Sequence, residues 1–287
     1  MESRFGSSDL WAGVVAMFSR STRWMATWVL ATSISAAFAS PIVLDQNGVA
    51  DLNNLRQIAL ALHNFESANG VFPPQFISSA GTPLLSWRVA LLPFLGLQGL
   101  YDQFNTTEAW NSSTNLPLLH QMPDIYRTPM DSPTSTITRY AVPAGPGTMF
   151  EGANGVTLGS VTDGTSFTIL VGETEGSNIP WTQPIDIPIG PPTTLGASGF
   201  SSFITGAVPF AFVDGTVKLL PDNIDSTKLH NLFIRNDGAV IPTDPSVSYV
   251  VVPEPGSVVL LMSGLVPFLL IARRFRAPVR NPTLAGC

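Results

Sequence analysis

The sequence predicts an α+β fold: one long N-terminal helix packed on an antiparallel β-sheet head, plus a C-terminal transmembrane helix. Three observations lead there. Apolar residues between Asp51 and Ala68 recur at helical spacing. Further along, short β-prone runs alternate with Asp-Gly turns. Near the end, the stretch from Ser257 to Ala272 carries no charge.

The first segment reads as an export address. Arg20 and Arg23 precede an apolar run from Trp24 to Phe38, which closes on Ala37-Phe38-Ala39 before Ser40 and Pro41. A basic region, a short apolar core and a small-x-small exit make a secretory signal peptide over residues 1–39. Cleavage by signal peptidase is expected after Ala39, with Ala37, Ala39 and Ser40 forming the cut site. An uncleaved anchor is the alternative. The stretch before Arg20 is long for a signal, so the start is either Met1 or Met17.

The body, residues 40–245, opens on the long helix. Leu52, Leu55, Ile58, Ala59, Leu62 and Phe65 fall on one face. Asp51 is expected to cap its start, Asn69-Gly70 to give the left-handed exit, and Pro73-Pro74 to forbid continuation. A second helical stretch is expected over Leu85 to Phe104, broken by Pro93 and Gly96, with Trp87, Leu91, Leu95 and Leu100 buried. Beyond Asn105 the pattern turns strand-like. Ile169-Leu170-Val171, Phe210-Ala211-Phe212-Val213 and Val217-Lys218-Leu219-Leu220 read as strands. Asp214-Gly215 reads as the hairpin turn between the last two. Asp163-Gly164 and Asp237-Gly238 are similar turn signals.

Charge separates the parts. Between Ser40 and Val252 stand 7 Lys/Arg and 17 Asp/Glu, a net charge of −10 against −6 for the whole chain of 287 residues. An acidic body disfavours nucleic acid, which requires clustered cations. The only cysteine is Cys287, so the body can form no disulfide, Cys-ligated zinc site or cysteine nucleophile.

After a linker (residues 246–256), the uncharged run from Ser257 to Ala272 meets Arg273, Arg274 and Arg276. Sixteen helical residues reach about 24 Å, slightly short of a hydrocarbon core of about 30 Å. Flanking residues or local thinning cover the difference. The arginines assign residues 273–287 to the cytoplasm. The body is therefore expected outside the inner membrane, in agreement with the signal peptide. The order Val252-Pro253-Glu254-Pro255, apolar helix, arginine cluster resembles a PEP-CTERM sorting signal. That resemblance implies an exosortase as processing partner and delivery to the cell surface or the exopolysaccharide matrix. A plain anchor that stays in place is the other reading.

No pattern in the body carries chemistry. The histidines, His63, His120 and His230, are far apart, and none stands in a metal or triad motif. Asp222, Asn223 and Asp225 could contribute calcium ligands but serve a turn as well. Glu173 and Glu175 alternate and would share a strand face, a direction that a polar face explains equally. Gly145-Pro146-Gly147 lacks the Lys and the helix of a phosphate loop. Trp87, Trp110 and Trp181 could stack on sugars if exposed; burial is the more usual fate. No cofactor is expected.

Asn54-Leu55-Arg56-Gln57-Ile58-Ala59-Leu60-Ala61-Leu62-His63-Asn64-Phe65 followed by Gly70-Val71-Phe72-Pro73-Pro74 resembles the exported family called domain of unknown function 1559 (DUF1559), abundant in planctomycetes. Leu85-Ser86-Trp87-Arg88-Val89, Leu92-Pro93-Phe94-Leu95, Leu100-Tyr101-Asp102-Gln103-Phe104, Asp163-Gly164-Thr165-Ser166 and Asn236-Asp237-Gly238 continue it in order, over about Asp51 to Ile241. The resemblance implies a pilin- or pseudopilin-like architecture and no known activity. Three departures stand out. An ordinary signal peptide replaces the family's methylation helix, Thr128-Pro129-Met130 replaces Cys-Pro-Ser, and Ile204-Thr205-Gly206-Ala207 replaces His-Pro-Gly-Gly.

The expectation is thus a membrane-anchored or surface-sorted protein without enzymatic activity, structural or associated with exopolysaccharide or other envelope proteins. A glycan- or solute-binding module is the second reading and a hydrolase the third.

Overall fold

The leading helix begins earlier than expected and is longer. The computed structural model describes residues 44–190, 195–196 and 199–239. In it, α1 runs Gln46–Asn69. Asp45, not Asp51, is the N-cap: its Oδ1 accepts from the Gly48 N–H at 2.8 Å. Asp51 instead sits in the second turn and is fully buried. Periodicity locates the first apolar contact of a helix, and the cap can lie a turn upstream of it. The exit is as predicted. Gly70 takes φ 76° and its N–H returns to the Glu66 carbonyl, a conformation costly for any residue with a Cβ.

The expected helix over Leu85 to Phe104 is corrected. A hairpin of β1 (Phe76–Ser79) and β2 (Thr82–Ser86) leads into α2 (Trp87–Ala90), a 3-10 turn at Leu92–Leu95, and α3 (Gln98–Tyr101). Pro93 falls within the first turn of the 3-10 segment, and Gly96 ends it at φ 76°. These two residues therefore divide one apolar pattern into three short pieces. Trp87 and Leu91 are buried as expected, while Leu95 and Leu100 are half-buried. Two more 3-10 turns, Leu116–Gln121 and Asp124–Tyr126, carry the chain to the sheet.

The main sheet has four antiparallel strands in the order β3 (Tyr140–Ala141), β5 (Ile169–Glu173), β7 (Ala207–Phe212) and β8 (Val217–Pro221). A two-stranded parallel pair joins β4 (Pro143–Ala144) to β6 (Ile187–Pro188). The β7–β8 hairpin turns at Asp214-Gly215 as predicted, with Gly215 at φ 81° and the Phe212 N–H bonded to the Thr216 carbonyl.

Alternation along the strands sorts the sheet into two faces. Val208, Phe210 and Phe212 of β7 join Phe200 and Leu229, Leu232 and Phe233 of α4 (Ser226–Phe233) in one apolar cluster. Phe200 stacks on Phe233 at 5.3 Å and meets Phe210 edge-on at 5.1 Å. Helix α1 packs against β5, β7 and β8 and buries Leu52, Leu55, Ile58, Ala59 and Leu62. Among the described residues no helix is long and apolar enough to cross a membrane. The C-terminal helix expected over Ser257 to Ala272 lies outside the described residues.

Candidate functional site

The chemistry-bearing groups that converge lie between α1 and the sheet. Gly172 of β5 presses towards Phe210 and Phe200 on the apolar cluster's side. Its neighbour Glu173 therefore points to the opposite face. Tyr140 pairs with Glu173 in the β3–β5 register, so its ring shares that face. Helix α1 supplies Asp51 from above. All three residues are fully buried.

The Tyr140 hydroxyl donates to Asp51 Oδ1 at 2.5 Å. Asn54, one turn along α1, donates to Tyr140 Oη at 3.2 Å and to the Arg127 carbonyl at 2.9 Å. Asp51 Oδ2 and both carboxyl oxygens of Glu173 have no hydrogen-bond donor. Burial is the largest influence on both acids, and each also feels the other. Asp51 is pushed up to about 7, against the opposing pull of the Tyr140 hydrogen bond. Glu173 is pushed up to about 9, first by burial and then by the Asp51 charge, against the weaker pull of the Ser202 hydroxyl, which lies near it without a well-formed hydrogen bond. Two acids in contact within a low-dielectric layer cannot both ionise at little cost.

The shared strand face expected of Glu173 and Glu175 is corrected. Glu175 lies past the end of β5 and is exposed. The partner of Glu173 is Asp51, 122 positions away in the chain, which no local spacing could reveal.

A second buried polar group explains the Trp87-Arg88 dipeptide. Asp186 Oδ1 accepts from Arg88 Nη2 at 2.6 Å, from Trp87 Nε1 at 3.2 Å and from the Val142 N–H at 3.1 Å. Both charged side chains are fully buried. Arg88 also bonds the Tyr140 carbonyl and Ser86 Oγ. Burial still raises the Asp186 carboxyl above its usual range, against the pull of Arg88. This is a structural clamp holding α2, β3 and the strand after Asp186 together.

The other candidate residues are dispersed. His63 is half-buried and meets Phe72 edge-on at 5.4 Å; His120 is exposed; His230 lies on α4. Trp87 and Trp181 are fully buried, and Trp110 is half-buried. Trp181 stacks on Tyr126 at 6.0 Å and donates to the Leu119 carbonyl at 2.9 Å. Neither Trp87 nor Trp181 is open to a sugar. Asp225 caps α4 through the N–H groups of Thr227 and Lys228. Among the described residues no cluster of three or more His, Cys, Asp or Glu could hold a metal. Gly147 takes φ 78°, and its N–H donates to Glu151 at 3.0 Å.

An open groove of about 510 Å³ is lined by Asn54, Gln57, Asp124, Arg127, Thr128 and Asp131 among others. Its charges are already engaged. Arg127 bonds Asp124 and the Met122 and Ser135 carbonyls, and Asp131 takes Arg139 and Thr128. The cut site at Ala37, Ala39 and Ser40, the motif Val252, Pro253, Glu254 and Pro255, and the stop at Arg273, Arg274 and Arg276 all lie outside the described residues.

A family model described as "protein of unknown function (DUF1559)" matches residues 52–146. Over this span, about a third of its length, the chain is similar to that family. The span takes in most of α1, the β1–β2 hairpin, the buried Trp87 and Arg88, and β3 with β4. The matched segment thus contains Tyr140 and Asn54, whereas Asp51 stands one residue before it and Glu173 beyond it. No curated protein and no solved structure matches the chain.

Proposed function

We propose that this protein is an exported, envelope-anchored structural protein without enzymatic activity, whose helix-on-sheet head is displayed outside the inner membrane. One structural observation carries the reading. The buried polar groups of the head connect elements to one another and do not line an accessible cleft. Asp51, Tyr140 and Glu173 lie sealed under α1, and Arg88 with Asp186 is fully enclosed. A catalytic group needs access to substrate as well as a tuned acidity.

The sequence supports the location. The basic-apolar-small pattern ending at Ala39 and the Pro-Glu-Pro, apolar, arginine order after Val252 are consistent with export followed by anchoring or sorting. A thiol-free acidic body suits an aqueous envelope space. The pilin-like comparison rests on one long helix laid on an antiparallel sheet. The partners in this reading are signal peptidase, an exosortase, the membrane, and exopolysaccharide or neighbouring envelope proteins.

The test is a reporter fused after Ile241, with the remaining residues removed. Release of the fusion into the medium is expected. Retention in the membrane fraction would defeat the anchoring role of the C-terminal segment, and retention in the cytosol would defeat export.

A further inference from the structure

We propose that Asp51 and Glu173 form a shared-proton carboxyl pair that latches the first two turns of α1 to the sheet and releases them as the surroundings turn alkaline. The geometry is the starting point. Three carboxyl oxygens, Asp51 Oδ2 and Glu173 Oε1 and Oε2, are buried without a donor. A carboxylate so placed is costly unless a proton or a cation answers it.

Among the described residues no cation hydrogen-bonds to either acid; the Arg139 charge acts on Glu173 without such a bond. Tyr140 from β3 donates one hydrogen bond, to Asp51 Oδ1. Arg139 is committed to Asp131 and to the Glu175 carbonyl. Asp131 and Glu175 act on the pair as further negative charge. The 3-10 turn Asp124–Tyr126 brings Asp124, which is engaged by Arg127. Strand β7 carries no titratable residue, and the 3-10 turn Leu92–Leu95 none. On β8, Lys218 bonds the Ser166 carbonyl and lies 4.0 Å above the Phe212 ring, on the apolar cluster's side. On α1 itself, Asp45 is spent on the cap and Asn54 faces Tyr140.

A metal ion is the weaker answer. Calcium takes about six to eight oxygens, and magnesium keeps several waters in an octahedron. Two sealed carboxyls and one phenol provide neither. A proton fits. Glu173 carrying it donates to Asp51, whose other oxygen already takes the Tyr140 hydroxyl. The pair then bears one negative charge when only one proton is held and none when both are. The raised pKa values of both groups agree with this arrangement.

Loss of the proton to water leaves two like charges in contact under α1. The least disruptive relief is to lift the first two turns, because Leu52 is the one large apolar side chain buried there; Leu55 and the rest of the stripe stay seated. Opening hydrates Asp51 and admits water to Glu173.

Amide hydrogen exchange of the full-length chain between about pH 5 and about pH 9 tests the latch. After correction for the intrinsic rate, protection of residues 46–52 should fall by about tenfold per pH unit for each proton released on opening. Glu173→Gln should abolish most of that slope, and Asp51→Asn serves equally should the first variant fail to fold. Identical slopes in native and variant chains would overturn the proposal, as would flat protection in the native chain. Adding calcium or magnesium at about pH 8 should change nothing; restored protection in the native chain but not in Glu173→Gln would replace the shared proton by a cation.

Discussion

Gly172 shows how much one absent side chain can decide. A Cβ there would lie 2.4 Å from Phe210 and 2.8 Å from Phe200. Gly172→Ala must therefore displace two rings in the apolar cluster, and we expect a loss of about 1–3 kcal/mol in denaturant unfolding. An unchanged midpoint would mean that the rings shift freely. Asp186→Ala is expected to cost more, about 3–5 kcal/mol, because Arg88 would be left buried without its counter-charge. Much of this was not legible in the sequence. The Trp87-Arg88 dipeptide was visible as a family feature, but its carboxylate partner is 98 positions from Arg88. The Glu173–Glu175 alternation pointed to a shared face only because the end of β5 was not known. Asp51 looked like a cap because Asp suits caps, and the Asp45 six residues before it does that work.

At the scale of elements, helix α1 was the most legible, because a stripe at three- and four-residue spacing has one physical meaning. Leu55→Ala should cost about 2–5 kcal/mol in chemical denaturation, since the side chain is fully buried between helix and sheet. Asp45→Ala should cost about 1 kcal/mol, the usual worth of an N-cap; no loss would argue that the helix starts nearer Asp51. The segment from Leu85 to Phe104 is helical in pieces broken at Pro93 and Gly96, as its sequence indicates, but it is not one helix. Its apolar spacing fits a helix, yet Pro93 and Gly96 reset the backbone 8 and 11 positions after Leu85. Strand runs and Asp-Gly turns transferred well to β5, β7 and β8. The two-residue strands β3, β4 and β6 left no pattern to find, being defined by their partners.

For the molecule as a whole, two sets of acids act on stability in opposite directions. Asp51 and Glu173 have raised folded-state pKa values, so the folded chain holds their protons where the unfolded chain has released them. Their contribution is greatest below the ordinary carboxyl range and is lost as pH climbs through about 7 and about 9. Glu151 is lowered, chiefly by its hydrogen bonds to Arg235. Its contribution is present above the ordinary carboxyl range and is lost as pH falls through the lowered value. A melting profile of the native chain should therefore peak on the acid side of neutrality and decline towards alkali. A profile that rises steadily to about pH 9 would contradict the buried pair. The expectations for the two terminal segments lie outside the described residues, while the closing of helix onto sheet through Asp51 and Glu173 depends on contacts no sequence window spans.

The same Arg235 belongs to a knot of contacts where the described head ends. Its guanidinium grips Glu151 at 3.0 Å through two nitrogens, and the Asp163 carboxylate takes the N–H groups of Asp237 and Gly238 at 2.7 and 3.0 Å. Tension arriving through residue 239 would meet this strain relief before it reached α4 or β8. The fastening distributes a tug over the loops at Glu151 and Asp163, much as a cable grip spares the solder joint behind it. In single-molecule extension from the C-terminal side, Asp163→Ala should yield at a lower force than the native chain; equal forces would show that the load travels another way.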